Sequence, residues 1–283
     1  MNLRIAIPTD FSKHADKAAR FALELFRNRP CKFYLMHTYT PAFFRAEYLL
    51  HSPGQIGLGD FYKQRVLDQL EEVKARLEQI AHPELHEFMV HAAFNTLEAE
   101  LNDMARKERL DLIVMGTQGA TGAKEILFGT NAVQVLHRAE VPVLVIPEQA
   151  EVTDLKDILF PTDYAPDYSR LDLAILEDIL QRPGVSLHVL HAYTEADQAP
   201  QRQKSREQLQ ERLAGSPVSW TEVGDQGVVE AINRFAGRQP VQLLVMVRNR
   251  HTFLENILVT PVIDLIGFHT KIPFMVIPPP VGA

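Results

Sequence analysis

Short apolar runs alternate with longer amphipathic stretches through the whole chain. Ile5-Ala6-Ile7 and Leu112-Ile113-Val114-Met115 are nearly continuous in apolar character. That is the pattern of parallel strands buried on both faces. In the first half it predicts strands near 3–8, 32–38, 87–92, 111–116 and 142–146. Between them, apolar residues spaced three and four apart predict helices near 13–28, 60–82, 95–107 and 130–138. Ser12 is placed to cap the first helix and Asn95 the third. Strand–helix alternation of this kind predicts a doubly wound parallel sheet with right-handed crossovers.

The pattern then repeats. Ile5-Ala6-Ile7-Pro8-Thr9-Asp10-Phe11 returns as Ile158-Leu159-Phe160-Pro161-Thr162-Asp163-Tyr164, at an offset of 153. His37-Thr38-Tyr39-Thr40 returns as His191-Ala192-Tyr193-Thr194. Val141-Pro142-Val143-Leu144-Val145-Ile146-Pro147 returns as Ile272-Pro273-Phe274-Met275-Val276-Ile277-Pro278, now at an offset of 131. Such self-similarity marks a duplicated unit. The expectation is an α/β chain of two tandem Rossmann-like domains, 1–149 and 150–283. The second is shorter because the first carries an insertion, Pro41–Gln64, rich in aromatics and glycine. A lid, a partner-binding arm and a locally packed helix are all open readings of that insertion.

Composition narrows the chemistry. The 283 residues are 46% hydrophobic and carry a net charge of −7 with both signs interspersed. Large cores are available, and a basic nucleic-acid-binding face is not expected. A bound phosphate would have to be held by local backbone amides rather than by the overall field. The N-terminal residues read as a strand, not a signal peptide. No window approaches the roughly 20 apolar residues of a membrane span. The single cysteine, Cys31, reads as a small core residue, consistent with a reducing cytoplasm.

In a doubly wound sheet, ligands bind at the carboxyl ends of the strands where the strand order reverses. The residues after the first, second and fourth strands are therefore the informative ones. Met115-Gly116-Thr117-Gln118-Gly119 follows the fourth strand, and Gly129-Thr130-Asn131 opens the next helix. Glycine permits a positive φ and close approach of backbone to ligand. A helix N-terminus offers unpaired amides and a positive dipole end. Asp10, ending the first strand, adds an acceptor for a ribose or a base, or a ligand for a magnesium ion bridging to phosphates. Other nucleotide motifs are missing. Gly119 to Lys124 only superficially resembles a P-loop, and no G-x-G-x-x-G follows the first strand.

The pattern G-x-x-G-x(9)-G-[ST], here Gly116, Gly119, Gly129 and Thr130, resembles that of the ATP-binding universal stress proteins. The Pro8-Thr9-Asp10 turn and the closing Val-Pro-Val-Leu-Val-Ile strand are similar to that family too, and the resemblance covers both halves. It implies an adenine-nucleotide α-hydrolase-like fold. It also implies ATP with its adenine near Pro8, Thr9, Asp10 and Thr38. Ribose and phosphates would lie on Met115, Gly116, Gly119, Gly129, Thr130 and Asn131. It further implies pairing of the two domains through their fifth strands, with a homodimer left open.

The second half departs from this pattern. Val247 stands for Gly116, Arg250 for Gly119, Thr260 for Gly129 and Pro261 for Thr130. It is expected to keep Asp163 and lose the phosphate cradle. Arg248, Arg250 and His251 form a small basic cluster there, read as a solvated loop with anion binding as the alternative. His37 and His191, ending equivalent strands, read as hydrogen-bonded structural histidines. No general base, nucleophile or arginine clamp accompanies the glycine pattern. The favoured function is therefore a stress-response binding module tuned by ATP and acting on an unidentified protein partner. A slow magnesium-dependent ATPase and a nucleotide-free scaffold are the alternatives.

Overall fold

A computed structural model describes residues 2–39, 58–117, 129–151, 154–193, 200–224, 227–248 and 271–280. These residues form two units, the first running to Ala139 and the second starting at Glu140.

The first unit comprises β1 (Leu3–Pro8), α1 (Lys13–Leu25), β2 (Cys31–Thr38), α2 (Leu58–Glu78), β3 (His86–Ala93), α3 (Leu97–Glu108), β4 (Leu112–Gly116) and α4 (Thr130–Arg138). Its strands run in the order β3-β2-β1-β4, all parallel. The chain winds outward from β1 through β2 to β3, then crosses back to place β4 on the other side of β1. The carboxyl ends of β1 and β4 therefore flank the switch point, where two connections leave in opposite directions. Ile5, Ala6 and Ile7 of β1 and Leu112, Ile113 and Val114 of β4 have no exposed surface, as expected for strands covered on both faces.

Local sequence explains the helices. Ser12 Oγ accepts from Ala15 N at 3.3 Å and caps α1 as expected. The buried face of α1 is mostly alanine, with Ala15, Ala18, Ala19 and Ala22, so its backbone packs close to the sheet. In α2, Val66, Leu70, Val73 and Leu77 recur four, three and four residues apart and are buried. The charged residues of the Glu71–Glu78 run lie on the other face, and the observed pair, Lys74–Glu71 at 3.4 Å, is three residues apart rather than four. The cap of α3 is Thr96, not Asn95. The Asn95 carboxamide instead donates to Glu100 Oε2 at 2.9 Å and accepts from Thr96 N at 2.8 Å. The insertion resolves in part: 58–64 belong to α2, and 41–57 lie outside the described residues.

The second unit comprises β5 (Val143–Ile146), β6 (Asp157–Thr162), α5 (Ala174–Leu180), β7 (Ser186–Tyr193), α6 (Pro200–Arg212), β8 (Val218–Gly224), α7 (Val228–Ala236), β9 (Leu243–Val247) and β10 (Phe274–Ile277). Its strand order is β5-β10-β9-β6-β7-β8. All are parallel except β5, which lies antiparallel on β10 with Leu144 opposite Met275. The fifth strand of the first repeat thus pairs with the fifth strand of the second.

Among the described residues the repeats differ after their first strands. α1 begins at Lys13, directly after the turn, whereas the second repeat stays non-helical from Ala165 until α5 begins at Ala174. Tyr168 fills the space and is almost wholly buried, its hydroxyl bonded to that of Thr162. Arg212 of α6 holds this segment. Its guanidinium donates to the carbonyls of Tyr168 and Leu171 and to Glu177 Oε1, the last at 3.0 and 2.8 Å.

Candidate functional site

The turn leaving β1 is built the same way in both repeats. Phe11 and Tyr164 hold φ of 64° and 53°, a left-handed conformation unusual for a non-glycine residue. Local hydrogen bonds account for it. Thr9 Oγ1 accepts from Phe11 N at 3.0 Å, and Thr162 Oγ1 from Tyr164 N at 2.9 Å. Asp10 Oδ1 accepts from Ser12 N at 3.1 Å, and Asp163 Oδ1 from Ala165 N at 3.0 Å. These Asx and ST turns are the conformations that Asp and Thr favour after a strand. They fix the Asp10 carboxylate at the sheet edge.

The histidines at the end of the neighbouring strand complete the motif. His37 Nδ1 donates to the Thr9 carbonyl at 2.6 Å, and His191 Nδ1 to the Thr162 carbonyl at 2.9 Å. Each ring also packs on the aromatic residue of the turn, His37 on Phe11 at 4.8 Å and His191 on Tyr164 at 4.6 Å. The structural reading of both histidines agrees with this.

Above β1 and β4 of the first unit lies a cleft of about 330 Å³. β1 and the turn after it contribute Pro8, Thr9 and Asp10, and β2 contributes His37 and Thr38. Met115, Gly116 and Thr117 line it from β4. Gly129, Thr130, Asn131 and Ala132 line it from the start of α4. The nine described residues expected at a site from sequence are therefore neighbours in space. Gly119 lies outside the described residues. The sequence reading missed Ala15, Leu97, Thr117 and Ala132 and read His37 only as structural. Leu97 comes from α3, and no local pattern links it to the cleft. Thr117 sits inside the glycine pattern and could have been included.

The start of α4 suits an anion. Gly129 is its N-cap, no side chain among the described residues caps the helix, and its first turn contains no acid. The Gly129 amide donates to Thr117 O at 2.8 Å, which pins the helix start to the end of β4. Thr130 and Asn131 of the first turn line the cleft, with the positive end of the helix dipole at that edge. At the far end, Asn102 Nδ2 donates to the Arg138 carbonyl at 3.0 Å and holds the last turn of α4 against α3.

Neither described glycine of the pattern holds a positive φ, which corrects that expectation. Gly129 has φ −65°, and Gly116 is not among the positive-φ residues. A Cβ on Gly116 would lie 3.2 Å from the His14 carbonyl oxygen. Gly116 is thus where β4 and the first turn of α1 come close enough to close the cleft floor.

In the second unit Val247, the counterpart of Gly116, ends β9 and is buried. Arg250, His251, Thr260 and Pro261 lie outside the described residues. Arg248 is not simply a solvated loop residue. Its amide donates to Ile277 O at 2.8 Å, and burial pushes its guanidinium below the ordinary arginine range. Among the described residues no group of three or more His, Cys, Asp or Glu side chains is placed to hold a metal, and no helix is long and apolar enough to cross a membrane.

Fold and cleft define a doubly wound α/β protein with a polar, helix-capped site at its switch point. Comparison with known proteins gives the family: the model of the Universal stress protein family matches residues 1–147, and the chain belongs to that family. A universal stress protein of Methanocaldococcus jannaschii is 31% identical over 144 residues, covering 50% of this chain and 81% of that protein. Solved structures extend the fold to the whole chain. One is a universal stress protein from Archaeoglobus fulgidus, 18% identical, with a TM-score of 0.64 over 99% of this chain and 97% of that one. Another, from Pseudomonas aeruginosa PAO1, is 16% identical with a TM-score of 0.55, covering 98% and 92%.

Proposed function

We propose that the first unit binds one ATP in the switch-point cleft and that the protein acts in the stress response by nucleotide-tuned conformation or partner binding. The observation that carries this reading is the convergence on one cleft of an uncapped helix N-terminus and the Asp10 turn. The first is a site for phosphates, the second a set of acceptors for ribose and base.

Strand order supports one direction for the ligand in this proposal. The phosphates lie at the α4 end, against the amides of Thr130 and Asn131 and the Thr130 hydroxyl. The ribose lies over β1, within reach of Asp10. The base lies toward β2, by Thr38, with Pro8 and Thr9 beneath. A magnesium ion brought in with ATP would neutralise phosphate charge, and Asp10 is the carboxylate that lines the cleft. The chain's own groups then do the binding. Backbone amides hold charge without a lysine or arginine, which accords with a net charge of −7.

The second unit keeps the Asp163 turn but has Val247 in place of the glycine at the end of its fourth strand. In this proposal it is a permanent structural neighbour, and the protein works in the cytoplasm on a protein partner. Calorimetric titration of magnesium-ATP into nucleotide-stripped protein tests the reading. One ATP per chain is expected. Two per chain would overturn the assignment of the second unit, and none would overturn the nucleotide function.

A further inference from the structure

Three polar side chains on one face of the second unit's sheet are joined in a line. Asp157 starts β6, His188 is the third residue of β7, and Ser219 is the second of β8. His188 Nε2 lies 2.8 Å from Asp157 Oδ1, and its Nδ1 lies 2.7 Å from Ser219 Oγ. A carboxylate oxygen only accepts, so Nε2 carries the proton of the neutral ring and Nδ1 is the acceptor. The hydroxyl proton of Ser219 is thereby directed onto Nδ1. A nucleophile, a base and a group that orients the base stand in one hydrogen-bonded chain.

The surroundings hold this chain in place and leave one end open. Gln242 Oε1 accepts from the amides of Lys156 and Asp157 at 3.3 and 2.7 Å, and the Asp157 carbonyl accepts from Gln242 N at 2.9 Å. That fixes the backbone that carries the carboxylate. Phe235 of α7 packs on the His188 ring at 5.3 Å. The His188 side chain is 14% exposed, whereas Ser219 is an exposed residue. Among the described residues β8 is the last strand on its side of the sheet. Leu187 N donates to Pro217 O at 2.9 Å, and in a parallel ladder alternate residues bond to the neighbouring strand. The backbone of Ser219 therefore faces β7, and the amide of Trp220 faces the free edge. An amide next to the nucleophile is a donor for the oxyanion of acyl transfer.

The first repeat is built differently at the same register positions. It carries Arg4, Tyr34 and Met89 there, and Tyr34 donates to Glu108 Oε2 at 2.9 Å. The same sheet forms without the line, so its three residues are not a requirement of the fold.

We infer that Ser219 is a nucleophile activated by His188, with Asp157 as the positioning residue, and that the second unit takes acyl groups from short-chain esters. Ser219 Oγ forms a bond to the ester carbonyl carbon as its proton passes to Nδ1. The carboxylate of Asp157 stabilises the imidazolium that results. Collapse of the adduct breaks the bond to the leaving alcohol, which takes that proton from Nδ1. Water then attacks the acyl-serine with the same base and releases the carboxylic acid. An open strand edge suits a small acyl group, which has no long chain to bury.

The test is labelling of the full-length protein with a fluorophosphonate, which replaces fluoride with an activated serine oxygen, followed by mass spectrometric mapping. Hydrolysis of p-nitrophenyl acetate is followed on the same samples. An adduct on Ser219 is expected, and Ser219→Ala is expected to lose it and to bring ester hydrolysis to background. His188→Gln is expected to slow labelling about a hundredfold, and Asp157→Asn, which keeps the size and removes the charge, about tenfold. Melting curves separate chemistry from folding. A merely structural Asp157 would lower the melting temperature and leave the labelling rate per folded molecule unchanged. Should His188→Gln fail to fold, Asp157→Asn decides alone. An intact protein without an adduct on Ser219 would overturn the inference, and so would labelling as fast in Asp157→Asn as in the intact protein.

Discussion

His37 and Thr9 meet side chain to backbone across neighbouring strands, Nδ1 to carbonyl at 2.6 Å, and His191 and Thr162 repeat the contact at 2.9 Å. Threonine supplies the hydroxyl that closes the turn and the carbonyl that orients the histidine. Aspartate caps the next amides, and the aromatic residue in the left-handed position lies on the imidazole. The whole unit is encoded by three consecutive residues and one histidine, and the chain uses it twice.

A negative charge placed at the start of α4 separates helix stability from ligand binding. Thr130→Asp puts a carboxylate in a first turn that has no acid. The helix dipole favours it by about 0.5 kcal/mol. Thermal stability is therefore expected to hold or rise, while ATP affinity falls about tenfold or more, a loss of about 1.4 kcal/mol. Melting curves and calorimetry on the same sample check both. A stable variant with unchanged ATP affinity would remove the phosphates from α4.

Closing the gap at Gly116 should act on both fold and site. Gly116→Val places branched carbon against the His14 carbonyl, where even a single Cβ lies at 3.2 Å. Overpacking of this kind costs about 1–3 kcal/mol. The denaturation midpoint is expected to fall, and ATP binding to weaken as α1 shifts from β4. Val247 is tolerated at the matching position in a repeat whose first strand is followed by a non-helical segment up to Ala174.

Arg212 should matter more than any exposed ion pair. Its removal leaves Glu177 and the carbonyls of Tyr168 and Leu171 without their shared donor. Arg212→Ala is expected to destabilise the protein by about 2 kcal/mol. Arg234→Ala, which breaks an i,i+4 pair on the surface of α7, should cost only about 0.3 kcal/mol. Urea denaturation of the two variants side by side decides the ranking.

His86 makes stability depend on pH. Its Nδ1 accepts from His82 N at 3.2 Å, and its Nε2 donates to the Phe26 carbonyl at 3.2 Å, which together require the neutral ring. Burial holds its pKa below the ordinary value of 6.5. The unfolded chain therefore takes up the proton first as pH falls. The contribution of His86 is complete above pH ~6.5 and is lost as pH drops toward the folded-state value. Urea midpoints measured from pH 8 down to 5.5 are expected to decline, and His86→Gln should flatten that decline.

Strand and helix positions, the duplication and the Thr-Asp turn were legible because each depends on residues close in sequence. Alternating apolar runs place β1 and β4, Ser12 caps α1, and the glycine pattern marks the segment between β4 and α4. The cap of α3 was misread by one residue, because Asn95 and Thr96 are equally good caps locally and only the distant partner Glu100 takes Asn95 away. The reason for Gly116 was also hidden. Its need is set by His14, about a hundred positions away in the chain, and not by its own backbone angle.

The sequence by itself determined the elements, the repeat and most of the residues of the cleft, since turn chemistry and hydrophobic periodicity act over a few residues. The tertiary structure decided what those residues are for. Strand order brings Ala15, Leu97 and His37 to the cleft, and packing leaves His37 lining it while Tyr193 stacks on His191. Those outcomes depend on contacts between segments whose separation no local period records, so they exist only once the sheet has formed.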